Sequence, residues 1–196
     1  MTSTVDDQKR MLRADLRERR QAIGLVERER LGTDLATQLA QLVTSRGAAS
    51  ISCFLSTPLE PDVRPFLDWA AEQGIRVLFP ITREDGLLDW TVGEHETETL
   101  GLFGMPEPGG DLLGPFAVHD VDLMLIPGAA VGADGMRLGW GRGYYDKSIG
   151  AMTHRPPVFA VLFDHELLES VPHEKHDEPV DGVVTPSRVV SFGSAN

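Results

Sequence analysis

Val121-Asp-Leu-Met-Leu-Ile-Pro127 constrains the fold more than any other stretch of the chain. A short, nearly continuous apolar run bounded by turn residues is what a strand buried on both faces looks like, and both faces of a sheet are covered when helices cross over it. Similar runs recur at residues 50–56, 75–79 and 158–163, with shorter candidates at 87–92 and 180–184. Helical periodicity fills the intervals. Residues 7–22 place Met11, Leu12, Leu16 and Ile23 towards a core, residues 27–43 place Leu31, Leu35, Leu39 and Leu42 on one face, and a third helix runs from about Val63 to Gln73 and stops at Gly74. Strands alternating with helices predict a three-layer α/β/α sandwich with a largely parallel central sheet, in one domain spanning residues 1–196.

Composition excludes several function classes. Hydrophobic content of 41% and charged content of 24% are those of a globular chain, and no apolar run approaches a membrane span. The polar stretch from Thr2 to Arg10 is not followed by a signal-peptide core, so a cytoplasmic protein with no membrane partner is expected. A net charge of −12 argues against a nucleic-acid partner, because neutralising phosphates takes a basic surface. The imbalance is uneven: residues 1–46 carry nine Lys and Arg against seven Asp and Glu. Small anionic ligands are therefore expected at local basic clusters, one near the N-terminus and one around Arg137 and Arg142. Cys53, with apolar neighbours, reads as a buried structural thiol. The expected assembly is a monomer, although sequence does not fix the oligomeric state.

The chemistry concentrates in Gly135-Met-Arg137-Leu138-Gly139-Trp140-Gly141-Arg142-Gly143-Tyr144-Tyr145-Asp146. Glycines let backbone N–H groups approach an anion, arginines add a fork that matches phosphate oxygens, and a carboxylate at the end can hold a hard cation on them. A P-loop would need Gly-Lys-Ser/Thr where Asp146-Lys147-Ser148 stands, and a dinucleotide fingerprint would need glycine at position 144. Both motifs are absent. On glycine count alone the segment equally fits a reversing turn; the arginines, the tyrosine pair and Asp146 separate the two readings. The loop follows the 121–127 strand, and Tyr144 to Ile149 begins a helix, so the loop is expected at the carboxyl edge of the sheet, where such folds bind ligands.

Arg137-Leu138-Gly-x-Gly-x-Gly-Tyr144-Tyr145-Asp146 resembles the signature of the 5-formyltetrahydrofolate cyclo-ligase family. Lys9-Arg10-Met11-Leu12-Arg13, Phe54-Leu55-Ser56 with Glu60, Phe103-Gly-Met-Pro-Glu107-Pro108 and Glu178-Pro-Val-Asp181 resemble further family elements in the family's order. The resemblance implies ATP-dependent closure of 5-formyltetrahydrofolate to 5,10-methenyltetrahydrofolate, with ATP as co-substrate and Mg²⁺ as cofactor. It implies catalytic roles for Lys9, Arg137 and Arg142. ATP-binding positions are Lys9, Arg10, Met11, Leu12, Arg13, Arg137, Leu138, Gly139, Trp140, Gly141, Arg142, Gly143, Tyr144 and Tyr145. Folate-binding positions are Arg13, Leu55, Glu60, Trp140, Gly141, Arg142, Gly143 and Tyr144, and the metal positions are Asp146 and Asp181.

Each assignment has an ordinary competitor. Lys9 and Arg13 also suit a solvated helix face, Glu60 a helix cap, Asp181 a turn, and the tyrosines core anchors. His173-Glu174-Lys175-His176 lacks the spacing of a zinc helix, and His95, His119, His154 and His165 have no evident carboxylate partners at ligand spacing. Ala130-Val131-Gly132 departs from the family's Ala-Phe-Asp, and Lys147 replaces a common arginine. Two other classes fit the same residues: a non-catalytic folate- or nucleotide-binding paralogue, and an isomerase or transferase acting on a phosphorylated small molecule.

Overall fold

The structure is a computed structural model and describes residues 4–174 and 177–193. In chain order the elements are α1 (Val5–Gln21), α2 (Leu25–Arg46), β1 (Ser50–Ser52), α3 (Arg64–Glu72), β2 (Arg76–Thr82), β3 (Leu88–Val92), β4 (Glu98–Leu100), β5 (Pro106–Pro108), β6 (Asp111–Leu113), β7 (Leu123–Pro127), β8 (Ala130–Gly132), β9 (Arg137–Leu138), α4 (Tyr144–Gly150), β10 (Val158–Val161), β11 (Leu167–Leu168), β12 (Gly182–Val184) and β13 (Val189–Ser191). The main sheet has the order β13-β12-β10-β7-β1-β2-β3-β6. Its centre, from β12 to β2, is parallel, and β13, β3 and β6 join antiparallel at the margins. The expected mixed α/β fold with a mostly parallel sheet is therefore what the chain adopts.

The apolar runs divide between the two faces with the period of a strand. Ile51, Leu123, Leu125, Phe159, Val161 and Val184 pack with Leu35, Leu39 and Leu42 of α2 and Phe66, Leu67 and Ala70 of α3. Met124, Ile126, Val158, Ala160 and Val183 point the other way, towards Ile149 of α4 and Val118 of a 3-10 turn. Cys53 is buried and free, as expected, and its thiol pKa is pushed up by desolvation.

Local signals fix the element ends. Thr4 caps α1 by accepting from the Asp7 N–H, with Asp6 and Asp7 in the first turn and Arg19 and Arg20 in the last, each charge opposing the helix dipole. Gly47 ends α2 in the left-handed region, and Pro65 opens α3. Met11 was expected in the core and is instead 67% exposed, because the buried face of α1 runs through Lys9, Leu16 and Arg20. That face packs on Ala129, Ala130 and Leu138, the strand pair that follows β7.

The chain builds β1, adds β2 on one side, and later adds β7 on the other side of β1. Strand order therefore reverses at β1, leaving a crevice at the carboxyl ends of β1 and β7.

A cleft at the switch point

A cavity of about 400 Å³ opens at that crevice. Its walls come from the segment after β1 (Phe54, Leu55, Thr57, Glu60), the ends of β2 and β7 (Thr82, Pro127), the 101–107 loop (Phe103, Glu107) and the glycine-rich segment from Arg137 to Asp146. The carboxyl edge of the sheet supplies the floor. The glycine-rich segment supplies the cations Arg137 and Arg142, and α1 supplies Arg17 and Arg20.

Arg137 is 4% exposed and fixed on two sides: Nη2 donates to Asp146 Oδ1 at 2.7 Å and Nη1 to the Pro127 carbonyl at 3.2 Å. Gly139 makes room for it, since a Cβ there would lie 2.8 Å from Arg137 Nη1. Gly141 and Gly143 have φ of +96° and +71°, a region that strongly favours glycine, and Gly143 is the residue that leads into α4. Arg13 braces the same loop by donating from Nε to the Gly139 carbonyl at 2.7 Å. Arg142 lies over the Phe103 ring, 3.7 Å from its centroid, and has no ion-pair partner among the described residues.

The wall contributed by the segment after β1 is desolvated too. Glu60 is 6% exposed; its Oε2 accepts from the Thr57 N–H and hydroxyl, and burial raises its pKa. Tyr145 borders the same cavity, and desolvation pushes its phenol up as well. Tyr144 turns the other way, donating its hydroxyl to the Arg83 carbonyl, so it anchors as well as lines the cleft.

Several expected residues do not join them. On α1, Lys9 and Arg13 share the inward face while Arg10 pairs with Asp7 at the surface and Met11 faces solvent, so the contiguous element from Lys9 to Arg13 divides by helical geometry. Leu12 packs beside Trp140 in the small core under α1, where Leu138 also lies. Lys9 does not line the cavity; its ammonium pairs with Asp177 at 2.6 Å and Glu174 at 3.1 Å. Burial alone would lower the Lys9 pKa, but those carboxylates outweigh it and hold it up. Asp181 stands apart from Asp146. It accepts from the Val158 N–H at the start of β10 and pairs with Arg155, which places it at the amino edge of the sheet, a strand length of roughly 10 Å from the cleft. Asp177, four residues earlier, is the carboxylate from that stretch that approaches Arg13, as Asp146 does from the loop. Of the His173–His176 stretch, Lys175 and His176 lie outside the described residues. His95 has carboxylate partners after all: Nε2 lies 3.0 Å from Asp68 Oδ1 and Nδ1 lies 3.6 Å from Glu96 Oε2, away from the cleft.

Phe103 and Glu107 belong to the wall although only their sequence segment, not their role, was evident. Glu107 accepts from the Thr82 N–H and hydroxyl, and its carboxylate packs against Gly101 where a side chain would collide with it. Phe103 has φ of +61°, unusual for a bulky residue.

A cleft at the switch point of an α/β sheet, lined by arginines, a glycine-rich segment and buried carboxylates, is that of an α/β protein built to hold a small molecule. The chain belongs to the 5-formyltetrahydrofolate cyclo-ligase family, whose model matches residues 5–186. It is 32% identical to the 5-formyltetrahydrofolate cyclo-ligase of Mycolicibacterium smegmatis over 92% of this chain and 94% of that one, and 28% identical to the Escherichia coli K12 enzyme of the same name over 89% and 98%. The solved 5,10-methenyltetrahydrofolate synthetase of Aquifex aeolicus superposes with a TM-score of 0.79 at 25% identity, covering 96% of this chain and 94% of that one. Membership makes the chain a ligase of folate one-carbon metabolism and implies ATP as its co-substrate.

Proposed function

We propose that the cleft carries out ATP-dependent cyclisation of 5-formyltetrahydrofolate, with the phosphates at the Arg137 end and the pterin at the Glu60 end. The observation that carries this reading is that one cavity holds both environments. A formamide oxygen is a poor leaving group. Its attack on the γ-phosphorus breaks the bond to ADP and gives an activated carbon; the neighbouring folate nitrogen then attacks that carbon, and inorganic phosphate departs with the former formyl oxygen. The substrate supplies its own nucleophile, so the protein has chiefly to align the groups and neutralise spreading charge.

Arg137, held on two sides and nearly dry, suits the transferring phosphoryl group, and Arg142, which has no carboxylate partner among the described residues, suits its outer oxygens. The N–H groups around Gly139, Gly141 and Gly143 face the same anion. Arg13 and Lys9 add charge from α1, with Lys9 exchanging partners with Glu174 and Asp177. Leu55 and Glu60, with Trp140 to Tyr144, flank the pterin.

Mg²⁺ fits the donor set at Asp146. One carboxylate oxygen is held by Arg137, Oδ2 has no partner among the described residues, and Asp146 lines the cavity. When bound, the ion supplies charge neutralisation on the ATP phosphates. Asp177 is the second carboxylate we assign to this region, since Asp181 faces the other edge.

The test is appearance of the methenyl product's near-ultraviolet absorbance on mixing enzyme, 5-formyltetrahydrofolate and Mg·ATP. Asp146→Asn is expected to lower Mg²⁺-dependent ATP affinity by about tenfold or more while leaving folate affinity in place. No ATP-dependent product at high wild-type concentration would leave a non-catalytic binder as the better reading.

A further inference from the structure

Arg20 lies in the arginine-rich end of α1, a stretch that looks like a solvated helix face, yet its side chain is fully buried and borders the cleft. Its Nε and Nη2 donate to the two oxygens of Glu166 at 2.6 and 2.8 Å, and Nη2 also donates to the Gly128 carbonyl at 2.8 Å. Trp140 covers the guanidinium, with Cζ 4.8 Å from its ring centroid, and Phe163 lies 5.5 Å away. One edge of the fork is thus saturated by the protein. The remaining nitrogen, Nη1, is buried without a hydrogen-bond partner among the described residues, and so is Nε1 of Trp140.

Both belong to residues that line the cleft, as does Arg137, whose Nε is likewise buried without a partner among the described residues, and each such donor forfeits its water without replacement. They stop being a liability if a ligand acceptor completes them. Glu60, in the same cavity, offers the complementary function: carboxylate oxygens that accept from N–H groups. Resting on the cyclo-ligase reading, we infer that Arg20 is a specificity-determining residue of the folate site, where Arg20 Nη1 and Trp140 Nε1 donate to the ring carbonyl of the pterin while Glu60 accepts from the adjacent ring N–H. Glu166 holds Arg20 in register for this, and the Trp140 ring screens the donors from water. The site reads a lactam edge, an N–H next to a C=O.

Equilibrium binding tests the inference apart from turnover. The ligands are 5-formyltetrahydrofolate and its 4-amino counterpart, in which an amino group replaces the ring carbonyl; titration calorimetry reports their binding and a parallel titration reports ATP. Wild type is expected to prefer the carbonyl ligand by about 100-fold or more, as sites built around hydrogen bonds reject partners that cannot complete them. Arg20→Lys keeps a cation for Glu166 but not the second edge of the fork, so the preference should shrink at least tenfold with ATP affinity unchanged. An undiminished preference in folded Arg20→Lys overturns the inference. If that variant fails to fold, Trp140→Phe decides: it keeps a ring over Arg20 and deletes one donor, and a preference equal to wild type overturns the inference while a several-fold loss supports it. Discriminating binding without any product would sink the proposed reaction and leave the lactam site standing.

Discussion

Glu60 shows how one side chain records the character of the cleft. Burial raises its pKa above 4.5, and hydrogen bonds from the Thr57 N–H and hydroxyl only partly oppose that. A carboxyl whose folded pKa lies above its unfolded one costs the protein stability as pH climbs through that interval, because the folded state must give up a proton it holds more tightly. Glu60→Gln is isosteric and cannot ionise. Its stability advantage over wild type should therefore grow as pH rises from about 4.5 through the raised folded value, hold constant above it, and vanish on the acid side. Urea midpoints across pH would show this; parallel curves for the two proteins would mean that the carboxyl is not desolvated. The same substitution should weaken folate binding by about tenfold, since an amide oxygen accepts less strongly than a carboxylate.

At the scale of elements, the loop from Arg137 to Asp146 uses its glycines for different reasons. Gly143 needs its backbone: φ is +71° and a Cβ would meet nothing within 4 Å, so Gly143→Ala should cost about 1 kcal/mol of stability from conformation alone. Gly139 needs its emptiness, because a Cβ would press on Arg137 Nη1 at 2.8 Å. Gly139→Ala is expected to lower kcat well beyond any loss in the urea midpoint, and equal losses in both would refute the distinction. The loop's place at the carboxyl edge was legible from the apolar run that precedes it, and its glycines and arginines are the basis for proposing that it holds an anion. The central strands were legible for the same reason: covered on both faces, β7 and β10 leave unbroken apolar runs. The pairs β4–β5 and β8–β9 were not, since each strand has two or three residues and Pro106 and Pro108 break any strand pattern in β5. Asp181 was assigned from its match to a family element, and a sequence match does not say which edge of the sheet a residue faces; here it accepts from the Val158 N–H and pairs with Arg155. Arg20 was hidden by its neighbours, three arginines in four residues that read as surface.

Across the molecule, the Arg20–Glu166 pair ties parts of the chain that no single element joins. It links α1 to the turn that follows β10, while the Gly128 carbonyl brings in the end of β7 and the Phe163 N–H donates to Glu166. Both partners are fully buried. In such a place the mutual attraction roughly offsets desolvation, so the pair itself adds little net stability, but removing one member strands the other's charge. Glu166→Ala should therefore destabilise the fold by roughly 3–5 kcal/mol, a large share of the ~5–15 kcal/mol that holds a domain together. The double variant Arg20→Met with Glu166→Leu removes both charges and should recover most of that loss, because apolar side chains of similar volume fill the space. Denaturant unfolding of Arg20→Met, of Glu166→Leu and of the double variant closes the cycle, and the coupling energy isolates the pair from its surroundings. Recovery of stability without recovery of folate discrimination is the expected combination: it would mean that the charge pair persists for what Arg20 offers the cleft rather than for what it gives the fold. Losses that simply add would show instead that Arg20 and Glu166 act independently.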